Sequence, residues 1–180
     1  MGESTTHPTT ELPSQKAFAE DERSVLLGYL DYHRKVLIRK AEGLTDEQAR
    51  LAPCPPSTMS MLGLIRHMAD VERGWFRRSV AAEDAGPIFY GEAHPDGDPD
   101  GDFNAPPDAT MAEAMATLLA EIEIADANIA ARDLDHPEED PGDRPPSSLR
   151  RIIVHLIEEY ARHCGHADLI REAIDGATGD

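Results

Sequence analysis

Glu159 and His163 are residues of metal-ligand type that lie one helical turn apart, in the stretch SSLRRIIVHLIEEYARHCGHADLIREA at residues 147–173. At about 100° per residue, their side chains differ by about 40° around a helix and stack on one face. His163 also falls on an apolar stripe, where an imidazole or carboxylate is costly unless it is paired or bound to a cation. The pattern indicates either a divalent-metal site or a hydrogen-bonded Glu–His pair at the core edge. His155 and His166, each one turn away, enlarge the cluster.

A third ligand is available from an earlier amphipathic segment. His67 lies at the edge of that segment's apolar face and is its only histidine, so it alone can pair with Glu159 and His163 from there. Three nitrogen or oxygen ligands with a fourth position open are typical of catalytic zinc, whereas structural zinc sites usually have four ligands, mostly cysteine. The same ligand types also suit Ni²⁺, Fe²⁺ or Mn²⁺.

Four other residues are candidates for roles around this site. His33 lies on the apolar stripe of the first predicted helix, where a satisfied core histidine is the simpler interpretation. His33 and His166 are nonetheless candidates for orienting a ligand or transferring a proton, because a metal-bound imidazole needs a partner on its other ring nitrogen. Arg34 and Arg162 are candidates for attracting an acidic substrate or a cofactor.

Apolar residues at alternating steps of three and four predict the helices that position these groups. The predicted helices run from Asp21 to about Glu42, from about Thr58, from Thr110, and over 147–173. With no alternating strand pattern, the sequence predicts an all-α four-helix bundle with long inter-helix loops. Residues 1–20 lack periodicity and are expected to form a disordered arm before a domain at 21–176.

An acidic, Gly- and Pro-rich loop from about Glu83 to Pro107 precedes the third predicted helix. Asp96, Asp98 and Asp100 reproduce the spacing of a calcium-binding EF-hand loop, but the twelfth position is Pro107 instead of the required glutamate. We therefore expect a solvated surface loop with an exposed histidine at position 94. Its expected buried anchors are Ile88, Phe89, Tyr90 and Phe103.

Composition excludes several classes of function. The chain has 180 residues, with 17 Lys and Arg against 35 Asp and Glu and a net charge of -18. That length favours one domain, and that charge repels nucleic acid and anionic membranes. Cys54 and Cys164 form no disulfide framework and are expected to be reduced thiols. No apolar run is long enough to span a bilayer, so we expect a cytoplasmic protein.

Three segments carry a family resemblance. They are LLGYLDYHRKVLIRKAEGLTDEQA at 26–49, SMLGLIRHMADVERGWF at 60–76 and HLIEEYARHCGHADLIREAIDG at 155–176. Together they resemble the DinB-like four-helix superfamily, particularly its uncharacterised actinobacterial-type branch. Related members include mycothiol- and bacillithiol-dependent S-transferases and a mycothiol-dependent maleylpyruvate isomerase. The resemblance implies no DNA binding, and it makes a homodimer possible.

The resemblance also implies a ligand set. Such members bind a divalent metal, often zinc, through one histidine on the second helix and a pair of residues on the last helix. That pair is either His-x-x-x-His or Glu-x-x-x-His. By position these are His67, Glu159 and His163. The isomerase has an additional C-terminal domain, so we do not expect the isomerase reaction itself.

Two hypotheses of function follow. In the first, zinc bound by the three ligands takes a low-molecular-weight thiol such as mycothiol, removes its proton and directs the thiolate to an electrophilic small molecule. The protein would then be a thiol S-transferase. In the second, the bundle is not catalytic and uses the metal to stabilise its fold or to bind a partner.

Overall fold

The computed structural model describes residues 10–13 and 21–179, and most of the predicted N-terminal arm lies outside these residues. All regular elements of the described part are helical, with no β-strand. The α-helices are α1 (Glu22–Ala41), α2 (Asp46–Ala49), α3 (Met61–Glu72), α4 (Met111–Ala130) and α5 (Leu149–Asp175). A π-helical segment, Arg73–Val80, continues α3, and a 3₁₀ turn, Gly91–Ala93, lies in the following loop.

Side-chain caps explain where the helices begin. The hydroxyls of Thr45 and Thr110 accept hydrogen bonds from the third backbone N–H of α2 and α4, and both helices show the full capping box predicted from the sequence. Ser148 caps α5 in the same way, by accepting from the backbone N–H of Arg151. At the other end, Gly176 adopts a φ of 77°, the left-handed conformation that ends a helix at little cost for glycine.

The helices pack as α1 on α5 and α3 on α4, with α3 also contacting α5 and α1. The predicted stripe of α5 is buried along its whole length. Its members are Leu149, Ile153, Leu156, Tyr160, His163, Ala167 and Ile170. The all-α bundle with long connections is therefore confirmed.

Two residues placed on apolar faces by the sequence point to solvent instead. Tyr29 on α1 is 47% exposed and Leu119 on α4 is 48% exposed. The buried face of each helix includes a charged residue, whereas the prediction from the sequence used apolar residues alone. Arg34 takes such a position on α1 and Glu121 on α4, and this rotates the buried face away from the aromatic and leucine side chains.

The loop after the π-helical segment is exposed over most of residues 92–100, as expected, and residues on both sides of this stretch are hydrogen-bonded to α3. Arg66 donates to the backbone oxygens of Gly101 and Asp102, and the Asp70 carboxylate accepts from the backbone N–H groups of Ile88 and Phe89. These contacts fix the loop against the end of the bundle that carries the predicted ligands.

His94 in this loop is partly buried, which corrects the expectation that it is exposed. Its ring fills the space next to Gly101, where a Cβ would lie 2.5 Å from the ring carbon Cδ2. The lack of a side chain at Gly101 therefore lets the loop fold over its own histidine. The predicted anchors Ile88, Phe89 and Phe103 do pack against the core, whereas Tyr90 is half-buried and lines a cleft instead.

Candidate metal centre

His67, Glu159 and His163 converge at the junction of α3 and α5. Each offers one ligand atom, and these atoms all lie within 4.8 Å of one another. The Nε2 of His163 lies 3.6 Å from Glu159 Oε2, and the centres of the two imidazole rings are 4.8 Å apart. Among the described residues, this is the one group of three or more His, Cys, Asp or Glu that could hold a metal ion.

The surrounding loop orients His67. Asp102 Oδ2 lies 2.7 Å from Nδ1 of His67, and the Phe103 ring stacks on the imidazole with centres 4.3 Å apart. The carboxylate favours a proton on Nδ1, so Nε2 keeps its lone pair for a ligand bond. Because Asp102 is buried, this contact is shielded from water.

Asp102 was missed by the sequence reasoning. It lies among many loop carboxylates, and its function depends on a backbone path that local sequence does not specify. One signal was present, since Asp102 directly precedes Phe103, a predicted anchor. A buried aromatic residue brings its neighbour towards the core.

His163 is kept neutral by its surroundings. Burial, followed by the nearby rings of His67 and His166, lowers the pKa of its imidazole to about 4. A neutral imidazole is the form that binds a metal. The Nδ1 atoms of His163 and His166 are 3.3 Å apart, which is hydrogen-bond distance. One of these two nitrogens is the N–H donor and the other is the acceptor.

Charged neighbours on α5 hold Glu159. Arg162 donates to Glu159 Oε1 at 3.1 Å and to Glu158 at 2.8 Å, and half of its side chain is exposed. His155 Nε2 lies 4.0 Å from Glu159 Oε1, while its ring meets Trp75 edge-on. Arg162, a predicted cofactor-binding residue, therefore lies next to the three ligands but is already paired with acidic groups.

The other two candidates lie elsewhere. His33 is not part of the three-ligand group; its backbone oxygen accepts from the Cys164 thiol, and its ring contacts Tyr32. Arg34 is buried and donates to both oxygens of Glu72 at 2.7 Å. The sequence placed these residues near the site because they share a helix with apolar neighbours, but facing helices determine which side chains meet.

A cleft of about 530 Å³ leads away from His67. One wall is the outer face of α3 and of the π-helical segment, where Trp75 is partly buried. The two long loops form the other walls. The cleft is lined by His67, Asp70, Val71, Gly74, Trp75, Arg78, Ser79, Tyr90, Pro99, Asp100, Asp102, Phe103, Asp140, Pro141, Gly142 and Arg144.

The EF-hand-like carboxylates do not converge on a common point within the described residues. Asp98 instead accepts hydrogen bonds from the backbone N–H of Asp100 and the side chain of Asn104. Those contacts shape a turn in the loop. No helix in the described part of the chain is long and apolar enough to cross a membrane.

The family model described as mycothiol-S-transferase matches residues 25–176. The chain belongs to the mycothiol S-transferase family. This match includes every element that carries the three converging ligands, and the family has the DinB-like fold expected from the sequence.

A solved structure of a conserved protein from Enterococcus faecalis has the same fold. Its TM-score is 0.62 at 17% identity, and the match covers 88% of this chain and 100% of that one. At this identity the likeness concerns the fold alone. No curated protein matches the chain.

The three residues suit a divalent ion on chemical grounds. Two neutral imidazoles and one carboxylate are the ligand types of catalytic zinc. Asp102 and His166 each occupy one nitrogen of a ligand histidine, which is how metal-binding imidazoles are oriented in proteins. Of the three residues, His67 lines the cleft, so this ligand is the one that faces the open space.

Proposed function

We propose that this protein is a metal-dependent S-transferase that joins a low-molecular-weight thiol, of the mycothiol type, to an electrophilic small molecule. The observation that carries this proposal is the meeting of His67, Glu159 and His163 within 4.8 Å of one another, with His67 also lining a cleft, in a chain of the mycothiol S-transferase family. Zinc is the metal that the ligand set favours, and Ni²⁺, Fe²⁺ and Mn²⁺ are the alternatives.

A divalent ion held by His67, Glu159 and His163 would lower the pKa of a thiol bound to it and so supply thiolate near neutral pH. The residues of the chain provide the geometry. Asp102 fixes the tautomer of His67, His166 contacts the outer nitrogen of His163, and Arg162 restrains Glu159. His166 is also the group best placed to pass a proton from the site towards solvent, since it is partly exposed.

Elemental analysis and a thiol-transfer assay test the proposal together. We expect about one divalent ion per chain, with both ion and metal-dependent rate lost in His67→Ala and His163→Ala. His136→Ala is the matched control, because this histidine only pairs with Glu139 at the surface. A transfer rate that persists without the ion, or a protein that binds no ion, would contradict the proposal.

The same measurements distinguish the S-transferase from the alternative, a non-catalytic bundle that binds a metal. The ligands join α3 to α5, so a bound ion also cross-links two helices and is expected to raise the melting temperature. If chelation lowers the melting temperature while transfer stays at background with several thiols, the metal serves the fold. The homodimer and the cytoplasmic location expected from the sequence stay predictions.

A further inference from the structure

Arg78 is a cation that lines the same cleft as His67, one of the three ligands. It is exposed and makes no hydrogen bond or ion pair with any residue of the described ranges. The other arginine of the cleft, Arg144, is paired with Glu138 and lies over the Trp75 ring, 4.9 Å from its centre. In a chain of net charge -18, an arginine left unneutralised inside a cleft is unusual.

The local helix geometry turns Arg78 towards the ligands. Its Nη2 atom lies 3.3 Å from the position that a Cβ on Gly74 would occupy, so the guanidinium lies back over the preceding turn. Gly74 follows His67 by seven residues, which corresponds to about 10 Å along a helix axis. A small molecule that reaches from the three ligands to Arg78 therefore spans about 10 Å.

The other charges of the cleft limit which anion fits. Four carboxylates line it: Asp70 and Asp102 already have hydrogen-bond partners on the backbone and on His67, whereas Asp100 and Asp140 are exposed. Two carboxylates repel a dianionic phosphate more strongly than a singly charged group, whereas one guanidinium matches one carboxylate through two parallel hydrogen bonds. The cleft therefore favours a monoanion.

We propose that Arg78 binds a carboxylate on one of the two substrates and so determines substrate specificity. The inference rests on the proposed function, since it assigns substrate binding to Arg78 in the same cleft. Either the thiol or the electrophile can carry the carboxylate. Transfer itself forms a carbon–sulfur bond as the leaving group departs from carbon, and the thiol proton passes to solvent; Arg78 takes no part in these steps.

Binding can be measured without turnover, because Trp75 is the single tryptophan of the chain and lies in the cleft. The electrophile probes are chloronitrobenzoate and chloronitrobenzamide, each added without thiol. The thiol probes are mercaptohexanoate and its amide. We expect tryptophan fluorescence to report binding about tenfold tighter for the carboxylate of one pair than for its amide.

Three variants identify the group responsible. Arg78→Gln should abolish the carboxylate preference, and Gly74→Ala should weaken it by displacing the guanidinium while keeping its charge. Arg151→Gln should retain it, since Arg151 is an exposed arginine at the start of α5 whose side chain donates to Ser147 and does not line the cleft. The pair that shows the preference identifies the substrate that carries the carboxylate.

The inference is overturned if neither pair shows a carboxylate preference, or if Arg78→Gln retains it. Turnover gives the second readout. With the preferred pair, Arg78→Gln should raise KM for the carboxylate about tenfold. The KM for the amide, kcat and the metal content should stay unchanged. A carboxylate preference without any transfer would contradict only the proposed function, and transfer without that preference would contradict only this inference.

Discussion

At the scale of single residues, the candidate centre depends as much on the partners of its ligands as on the ligands. His67 and His163 each have one ring nitrogen in contact with a neighbour, Asp102 or His166. A partner on one ring nitrogen orients the imidazole so that its other nitrogen faces the ligand group, and an ion would then meet a preformed site. The ligand types could be recognised in the sequence, whereas these partners required the folded chain.

Asp102 provides a direct test at this scale. We expect Asp102→Asn to weaken divalent-metal affinity about 10- to 100-fold, because the amide no longer fixes the proton on Nδ1 of His67. A competition titration with a metal indicator measures this change. Asp96→Asn is the control, since the Asp96 carboxylate has no role in the site. Equal affinities for wild type and Asp102→Asn would show that this contact does not orient the ligand.

At the scale of elements, the loop between the π-helical segment and α4 is part of the site. It carries Asp102 and Phe103 onto α3, and close backbone contact makes this possible. A Cβ at Gly63 would lie 2.8 Å from the backbone oxygen of Phe103. Glycine at this helical position therefore permits the loop to dock, although glycine usually weakens a helix interior.

We expect Gly63→Ala to destabilise the protein by about 1–3 kcal/mol, because the new methyl group forces the docked loop away from α3. Gly165→Ala is the matched control in α5, where a Cβ would meet nothing within 4 Å. There alanine should be neutral or stabilise by up to about 1 kcal/mol. Urea unfolding measures both, and equal effects of the two substitutions would contradict docking of the loop through Gly63.

At the scale of the whole molecule, one buried polar network connects the four long helices of the described chain. Arg34 on α1 binds Glu72 on α3 and Asp126 on α4, and Tyr160 on α5 donates to Glu72 at 2.7 Å. Burial, followed by the Glu72 carboxylate, raises the pKa of the Tyr160 hydroxyl, which therefore stays protonated as a donor. Arg34 thus has a structural explanation that does not require a cofactor.

Removing the cation of this network should destabilise the entire bundle. We expect Arg34→Met to cost about 3–5 kcal/mol, because Glu72 is left as an uncompensated buried charge. Arg150→Met should have a much smaller effect, since the pairs of Arg150 with Glu22 and Asp135 are at the surface and screened by water. Thermal unfolding followed by circular dichroism compares the two variants. A stability of Arg34→Met close to wild type would show that the network is dispensable.

The sequence by itself determined the helices, their capping boxes, the buried stripe of α5 and the residue types of the candidate centre. These features are local, because each follows from spacing along one helix or from contacts within one turn. The tertiary structure alone decided that Asp102 reaches His67, that Arg34 is buried with Glu72, and that Arg78 lines the cleft without an ion pair to any described residue. Those facts depend on how distant segments approach one another. The periodicity of one helix predicts which of its faces is buried, but it does not predict which residues of other segments pack against that face.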